Sequence, residues 1–396
     1  MLIGLVGKAN VGKSTFFKAS TLAEVEIANR PFVTIKSNEG TAFVKIDCVD
    51  KEFNVKCNPR FGYCLEHKRF VPFTLMDVAG LIKDAHKGAG LGNLFLNDLT
   101  MADAFIHIVD ISGSTDETGN SVQAGSHNPL NDVKFLEREL DMWYFQILKN
   151  GWEKFARTIK AENKDVKKAL AKQISGLKVN EDDVEYCIKE LKLFHEPEKW
   201  SDNDLLNLAS LLRKRTKPMI IAANKIDIEG SEFFLHKLKD EFKEYKIIAC
   251  SADSELALRE AAKSKLIEYI PGDNYFKIIG NLNEKQRNAL DYIKKNVLDK
   301  YGNTGVQEVL NYAVFELLKY IAVFPVGTSK LSDSKGNILP DCLLIEPGSK
   351  AIDFAFKLHT DIGNNFVKAI NVKNKQAVGK DYLLKNRDVI EIMVKK

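Results

Sequence analysis

The sequence lacks long apolar runs and a dense set of cysteines. None of its apolar runs approaches the ~18–20 residues that a membrane span requires. Six cysteines scattered over 396 residues do not make a disulfide scaffold. The short run 2–6 leads into a glycine-rich loop, which is typical of a first strand and not of a secretory signal. We therefore expect a cytoplasmic protein of two or three domains with no membrane partner.

The net charge of +4 is too small to predict a partner, but the basic residues are unevenly distributed. Residues 321–396 contain 12 Lys and Arg against 8 Asp and Glu, and residues 149–172 contain 8 against 3. Such stretches are typical either of a surface that contacts RNA or of a solvated helix face. The composition alone leaves both interpretations open.

Strand-like apolar runs alternate with segments of helical spacing in the first two thirds of the chain. The runs are residues 2–6, 73–76, 104–111, 219–223 and 247–250. Runs that are separated by helices predict an α/β fold whose parallel sheet is covered on both faces. We assign residues 1–271 to this domain.

The interval between the third and fourth runs carries a helical pattern. A stripe with spacings of three and four residues consists of Val133, Leu136, Leu140, Trp143 and Ile147. Asn180 precedes three acidic residues, and Ser201 precedes Asp204 by three positions, which is typical of helix N-caps. We predict that residues 128–217 form a helical insertion whose stripe is the core of a helix bundle.

The last third of the chain divides into two parts. Residues 272–321 have helical spacing and are predicted to form connecting helices. From 322 to 396, short apolar runs surround a turn signal at residues 333–337 and a single helical segment. This pattern predicts a small β-grasp-like module.

The strongest motif is Gly7-x-x-x-x-Gly12-Lys13-Ser14, which follows the first strand and precedes a helix-compatible run. In this context the glycines let backbone N–H groups surround phosphate oxygens, and the helix adds its dipole. Lys13 would contact the β and γ phosphates, and Ser14 would bind Mg²⁺. The predicted nucleotide site also includes the loop residues Asn10, Val11 and Thr15.

Two further signals would complete the phosphate end of a GTPase site. Thr34 lies in a loop after the first helix and would reach Mg²⁺ when the γ-phosphate is present. Asp77 and Gly80 belong to Asp77-Val78-Ala79-Gly80 at the end of the run 73–76. Asp77 would hold a Mg²⁺-bound water, and the Gly80 N–H would contact the γ-phosphate.

The base end is predicted by Asn224-Lys225-Ile226-Asp227, which closes the run 219–223. A carboxylate at Asp227 can accept the guanine N1–H and 2-amino hydrogens together, whereas adenine lacks this donor pair. Sites that depend on such hydrogen bonds reject the wrong partner by factors of ~10⁴–10⁵ in the best cases. A backbone N–H of Ser251 or Ala252, after the last run, would support the base.

Three segments together resemble the Obg superfamily, closest to its YchF/Obg-like ATPase branch in an archaeal form. They are residues 10–15 (NVGKST), 77–81 (DVAGL) and 88–93 (GAGLGN). Residues 335–337, 347–349, 353–355 and 359–363 resemble a TGS domain. The resemblance implies a P-loop NTPase sheet with a helical insertion, a C-terminal TGS domain and a link to translation. Bacterial and eukaryotic members have a degraded base motif and prefer ATP; because Asp227 and its motif are intact here, we predict GTP.

The motifs leave several candidates for the catalytic group. Leu81 stands where many GTPases have the Gln that orients the attacking water, so we expect slow hydrolysis. His86 and His107 are candidates, and the resemblance implies a catalytic role for a histidine at His107. The alternatives are a solvated loop residue and a packed strand histidine. Resemblance to potassium-dependent GTPases implies that Asn10 helps to bind K⁺, with turn geometry as the alternative.

Cys57, Cys64 and His67 lie close together, with Cys48 upstream. Their spacing is not a standard zinc spacing, so we predict a polar hairpin with reduced cysteines, with metal binding as the alternative.

Overall, the sequence predicts a Mg²⁺-dependent GTP-hydrolysing switch protein whose partner is the ribosome or RNA. The alternatives are an RNA- or ribosome-binding protein with nucleotide as a structural cofactor, and an ATP-preferring stress regulator.

Overall fold

The computed structural model describes residues 1–22, 38–78, 98–194, 196–327, 331–333 and 335–395. A seven-stranded sheet forms the centre of the first 270 residues. Its strands are β1 (Leu2–Val6), β2 (Glu39–Asp47), β3 (Tyr63–Leu65), β4 (Lys68–Asp77), β5 (Ala104–Asp110), β6 (Met219–Asn224) and β7 (Ile247–Ala249). Their order is β2-β4-β1-β5-β6-β7, with β3 paired to β4.

The sheet is mixed, although the apolar runs predicted a parallel one. Five strands, in the order β4-β1-β5-β6-β7, run parallel to one another, as predicted. β2 and β3 run antiparallel to β4. β3 is antiparallel to β4 because a tight turn at Glu66 and His67 joins the two strands, and both turn residues have positive φ. Two-residue turns of this kind join only antiparallel strands.

Five helices lie between β5 and β6, in the segment predicted as a helical insertion. They are α2 (Leu130–Lys149), α3 (Trp152–Ala161), α4 (Val166–Gln173), α5 (Glu181–Glu190) and α6 (Asp202–Thr216), following α1 (Lys13–Thr21) after the first strand. Both predicted N-caps are confirmed, because Asn180 and Ser201 form capping boxes with Asp183 and Asp204. Leu136, Leu140 and Trp143 of the predicted stripe are buried in a core that α6 also lines.

The chain then returns to the sheet and continues into connecting helices. These elements are α7 (Ser231–Glu241), α8 (Ala252–Lys263), the hairpin of β8 (Ile267–Tyr269) and β9 (Phe276–Ile278), α9 (Glu284–Ile293) and α10 (Val306–Asn311). Single π-helical stretches extend α9 and α10 at Lys294–Leu298 and Tyr312–Leu317. The β8–β9 pairing spans residue 271, so the boundary predicted there falls inside a hairpin. The other domain boundaries stay predictions.

A second sheet, of five strands, forms the C-terminal module. Its strands are β10 (Ile321–Val326), β11 (Leu343–Ile345), β12 (Phe366–Asn371), β13 (Gln376–Val378) and β14 (Val389–Val394), with helices α11 (Ala351–Leu358) and α12 (Thr360–Asn364). The order is β11-β10-β14-β12-β13, and only β10 and β14 pair in parallel. Phe354 of α11 is buried against Val323 and Ile390. The predicted strand-rich module is confirmed, with two helices in place of the single helix that was predicted.

The C-terminal module is docked on the loop that connects β2 to β3. The Asn58 N–H donates to the Ile338 carbonyl at 2.8 Å. The buried guanidinium of Arg69 donates to the carbonyls of Leu339 at 3.1 Å and Pro340 at 3.0 Å. The two parts of the chain therefore share a polar interface as well as a continuous apolar core. Among the described helices, none combines the length and apolarity that a bilayer crossing requires.

Candidate functional site

The loop between β1 and α1 has the geometry of a phosphate-binding loop. Gly7 and Gly12 have φ of 145° and 98°, values that residues with a Cβ rarely adopt. A Cβ on Gly12 would stand 2.3 Å from Nδ2 of Asn224. Glycine is therefore required at position 12 both by the backbone conformation and by the close approach of Asn224.

Lys13 is buried inside this loop. Its Nζ donates to the Lys8 carbonyl oxygen at 2.7 Å. Burial lowers the pKa of Lys13, and the negative charge of Asp77 opposes that shift. A buried ammonium with a neutral carbonyl as its hydrogen-bond acceptor is poorly compensated. The loop therefore offers a favourable position to an anion.

Ser14 and Asp77 lie next to each other at the ends of the loop and of β4. Ser14 Oγ donates to Asp77 Oδ2 at 3.0 Å, whereas Asp77 Oδ1 is buried and has no hydrogen-bond partner among the described residues. Hydroxyl and carboxylate oxygens are the ligands that Mg²⁺ prefers. The pair fits the predicted Mg²⁺ site, and the free Oδ1 is an oxygen that such a site would use. Thr34 and Gly80 lie outside the described residues.

Asn224 connects three elements at the base end of the site. Its Nδ2 donates to the Val11 carbonyl at 2.9 Å, and its Oδ1 accepts the Ala252 N–H at 2.9 Å. The side chain is buried, and its two hydrogen bonds join the phosphate loop to the start of α8. The Ala252 N–H, which we expected to support the base, donates to this amide oxygen, and its role toward the base stays a prediction. Ser251 caps α8.

Lys225 is held by a carboxylate that sequence reasoning missed. Its Nζ donates to Asp110 Oδ2 at 2.8 Å. Ser112 and Ser114 also donate to Asp110, at 2.5 and 2.9 Å, as does Thr115. Burial alone would raise the pKa of Asp110, but these hydrogen bonds hold it below its ordinary value. The sequence does carry a signal for this site, because an Asp at the end of a strand is followed by three closely spaced hydroxyl residues.

Lys8 links the phosphate loop to the helical insertion. Its side chain is buried, and its Nζ donates to the Thr115 carbonyl at 2.7 Å and contacts Asp132 Oδ2 at 2.8 Å. His127 Nε2 lies 2.8 Å from Asp132 Oδ1. Burial raises the pKa of Asp132, against the effect of Lys8. No sequence motif indicated this contact between the loop and α2.

A cavity of about 320 Å³ brings the predicted base and loop residues together. Its lining comprises Asn10, Gly12, Thr15, Asn224, Lys225, Asp227, Ile228, Ser251, Ala252 and Asp253. A larger groove of about 1070 Å³ lies among the insertion helices, beside Trp152 and Trp200. That groove contains none of the motif residues, so the smaller cavity is the candidate nucleotide site.

His107 lies within β5 and is 1 % exposed. Burial, with smaller contributions from Lys13 and Lys8, lowers the pKa of His107 to about 3. The imidazole is therefore neutral near pH 7, and its Nδ1 has no hydrogen-bond partner in the part of the chain that the structure describes. The structure places His107 near the lysines of the loop, whereas His86 lies outside the described residues.

Asn10 adopts a left-handed conformation with φ of 62°. Its Nδ2 donates to the Gly119 carbonyl at 2.8 Å. This contact agrees with the alternative in which Asn10 serves the geometry of the turn. Its role toward K⁺ stays a prediction.

Three family models match the chain. Residues 2–139 match the model described as 50S ribosome-binding GTPase, and residues 335–394 match the TGS domain. Residues 222–328 match the Obg-like GTPase YGR210-like, G4 motif-containing domain. The matches cover the phosphate loop, the base motif and the C-terminal module, as the motifs predicted.

Full-length relatives extend this similarity. A GTP-binding protein of Methanocaldococcus jannaschii is 49% identical over 99% of this chain and 98% of its own length. The ribosome-binding ATPase YchF of Mycoplasma genitalium is 28% identical over 98% of this chain and 97% of its own. The crystal structure of a GTP-binding protein from Pyrococcus horikoshii has a TM-score of 0.78 at 41% identity, with 100% of both chains covered.

Proposed function

The chain belongs to the YchF/Obg-like family of GTP-binding proteins, and from this premise we propose that it is a Mg²⁺-dependent, slowly hydrolysing GTPase switch of the cytoplasm. Its GTP and GDP forms would differ in affinity for the ribosome. The observation that carries the proposal is the cavity that Asp227 and Asn224 line together with Gly12 and Thr15 of the phosphate loop.

The preference for GTP over ATP rests on Asp227. The residue is partly exposed at the cavity, where its carboxylate can accept two hydrogens from guanine. Adenine would leave that carboxylate unpaired, which costs binding free energy. Asn224 supports the arrangement because its two hydrogen bonds fix β6 against the phosphate loop. Three YchF relatives whose names include ATPase are 25–28% identical to this chain.

The phosphate end is proposed to work through Lys13, Ser14 and Asp77. Mg²⁺, when bound, would neutralise charge on the β and γ phosphates. Ser14 and Asp77 would hold it, since their oxygens lie 3.0 Å apart. The buried ammonium of Lys13 would exchange its carbonyl partner for a phosphate oxygen and gain a stronger, charge-assisted hydrogen bond.

Hydrolysis is proposed to be slow because Leu81 cannot orient water. His107 cannot supply a positive charge near pH 7, since its pKa is about 3. A neutral imidazole could still accept a proton or orient a water molecule. The second proposal for this step is K⁺ bound with the help of Asn10, which would add positive charge beside the phosphates. Equal turnover rates in K⁺ and Na⁺ would contradict the K⁺ proposal.

Competitive binding tests the nucleotide preference. The full-length chain is loaded with a fluorescent GDP analogue in Mg²⁺, and GTP, GDP and ATP are added as competitors. We expect GTP and GDP to displace the analogue at concentrations at least ~10²-fold below ATP. If ATP competes as well as GTP, the GTP assignment is wrong and the ATP-preferring alternative is supported.

A second candidate function is constitutive binding to the ribosome, with nucleotide as a structural cofactor. It is favoured by a family description and by relatives whose names include ribosome-binding. Several basic side chains of residues 149–172 form ion pairs, among them Lys149 with Asp202 and Lys160 with Glu198. These ion pairs argue against an RNA-binding surface in the helical insertion.

Co-sedimentation with ribosomes in GDP or a non-hydrolysable GTP analogue distinguishes the switch from the constitutive function. Binding that depends steeply on salt but not on nucleotide would support the constitutive function.

A further inference from the structure

Three cysteines and one carboxylate converge in the segment between β2 and β4. Cys48, Cys57 and Cys64 each contribute an Sγ and Asp50 contributes a carboxylate oxygen, and these four atoms all lie within 4.8 Å of one another. Cys48, Asp50 and Cys57 are buried. We call this group of four side chains the cysteine cluster.

The separation of the sulfur atoms indicates metal coordination and not a disulfide bond. Sγ of Cys48 and Sγ of Cys57 are 3.7 Å apart. A disulfide requires ~2.05 Å between the sulfurs. Two thiolates that bind one Zn²⁺ tetrahedrally at ~2.3 Å stand ~3.8 Å apart. The observed separation matches the edge of a zinc tetrahedron.

The hairpin explains why an unusual spacing produces this cluster. Cys48 directly follows β2, and Cys64 lies on β3 next to the tight turn at Glu66 and His67. The Cys48 N–H donates to the His67 carbonyl at 2.7 Å, which closes the end of the hairpin. The pairing of β2 and β3 with β4 therefore brings Cys48 close to Cys64, and the loop between β2 and β3 adds Cys57, so that their spacing along the chain need not follow a standard zinc motif.

His67 is placed to orient the carboxylate. Its Nδ1 lies 3.0 Å from Asp50 Oδ1, and the Cys57 N–H lies 3.4 Å from Asp50 Oδ2. Metal-binding carboxylates are commonly held by such hydrogen bonds. A cavity of about 590 Å³ is lined by Cys57, Cys64 and His67, and it gives an ion a path to the cluster.

Arg69 supplies a positive charge opposite in sign to that of a zinc-loaded cysteine cluster. Its side chain is fully buried and donates to two carbonyl oxygens, and no carboxylate pairs with it among the described residues. Arg69 and Cys64 are opposite each other in the β3–β4 register, so their side chains emerge on the same face of the sheet. A buried cation is costly without a counter-charge. Zn²⁺ with three thiolates and one carboxylate carries net negative charge and would provide it.

We propose that Cys48, Cys57, Cys64 and Asp50 bind one structural Zn²⁺, with His67 as a positioning residue for the Asp50 carboxylate. Soft thiolates favour zinc over Mg²⁺ or Ca²⁺, and four protein ligands leave no open position for catalysis. Asn58 of the same segment and Arg69 of the adjoining strand β4 hold the C-terminal module. The zinc therefore stabilises the surface on which that module docks, independently of the nucleotide preference.

Metal content and free thiols test the site in the full-length chain, purified without a metal-binding tag. Elemental analysis by mass spectrometry should find about one zinc per chain in the wild type. The double variant Cys57→Ser/Cys64→Ser should lose nearly all of it. Cys187→Ala is the control, because Cys187 is a buried cysteine that lies in α5, outside the cluster. Bound fluorescent GDP verifies that each variant is folded.

Cobalt substitution gives a readout that depends on no variant. Co²⁺ exchanged into the wild type should show thiolate-to-cobalt charge transfer and the strong d–d absorption of a tetrahedral site. A wild type with no metal and six free thiols would overturn the proposal, as would four free thiols, which would indicate a disulfide. Iron in place of zinc would also overturn it.

The role of His67 has a separate test. His67→Ala should weaken zinc binding by ~10–100-fold in competition with a chelator. His67→Asn should restore most of it, because the Asn amide nitrogen occupies nearly the position of Nδ1 and Asn tolerates the φ of 63° found here. Equal zinc affinity in both variants and the wild type would show that His67 does not position Asp50.

Discussion

The nucleotide pocket and the cysteine cluster are held together in different ways. The pocket joins residues far apart in the chain, because Asn224 bonds to Val11 and to Ala252. The cluster is confined to residues 48–64, from the end of β2 to β3. A pocket built by long-range hydrogen bonds should transmit a local change to distant elements. A cluster built within one short segment should fail locally, unless the surface it supports is itself an interface.

The largest expected effect is at the base end of the pocket. Asp227→Asn replaces an acceptor by a donor at the position proposed to bind the guanine N1–H and 2-amino group. We expect GTP affinity to fall by ~10³-fold or more, and affinity for xanthosine triphosphate to rise, because xanthine presents a carbonyl where guanine has its amino group. Competition binding with both nucleotides measures this. Weakened binding of both would mean that the substitution disrupts the pocket and that Asp227 does not read the base.

The next prediction tests transmission from the phosphate loop to the base end. Gly12→Ala adds a Cβ 2.3 Å from Asn224 Nδ2 at a φ of 98°, so Asn224 must move and release Val11 or Ala252. We expect a loss of about 2–3 kcal/mol in GDP binding, or ~10²-fold. Gly151→Ala is the matched control, since Gly151 has a φ of 73° but nothing within 4 Å of its added Cβ. Similar losses in both variants would attribute the effect to strain alone.

The two regions also differ in how far the sequence predicts them. Lys13, Asp77 and Asn224 follow strands that end at one edge of a parallel sheet, so their juxtaposition follows from the topology. Cys64 is placed by the antiparallel pairing of β3 with β4, and Cys57 by the loop between β2 and β3; spacing along the chain reveals neither. The same limit explains why the sheet was predicted as parallel.

Arg69 makes a buried contact with the C-terminal module, and Arg60 makes an exposed one. Substituting each arginine compares the two contacts. Arg69→Met leaves the buried Leu339 and Pro340 carbonyls without their donors, so we expect a cost of about 2–3 kcal/mol. Arg60→Met removes an ion pair with Asp341 in which the arginine side chain is 49% exposed, and we expect about 1 kcal/mol or less.

Hydrogen exchange measures this difference in the folded protein. Amides of β10 and β14 in the C-terminal module should exchange faster in Arg69→Met than in Arg60→Met, with the amides of β5 and β6 unchanged in both. Faster exchange throughout the chain would show that the module and the nucleotide domain unfold as one unit. Wild-type exchange in both variants would mean that the docking surface depends on other contacts.

The smallest expected effect tests whether His107 belongs to the nucleotide pocket or to the core of the sheet. Its pKa is about 3 in the folded protein and ~6.5 when unfolded. Between these values the unfolded chain binds more protons, so stability falls as the pH falls through that window. From pH 7 to pH 5 the wild type should lose about 2 kcal/mol more than His107→Phe, in urea titrations followed by fluorescence. Parallel losses would mean that His107 is hydrated and protonated normally, whereas the expected difference together with unchanged turnover would identify it as a packed strand histidine.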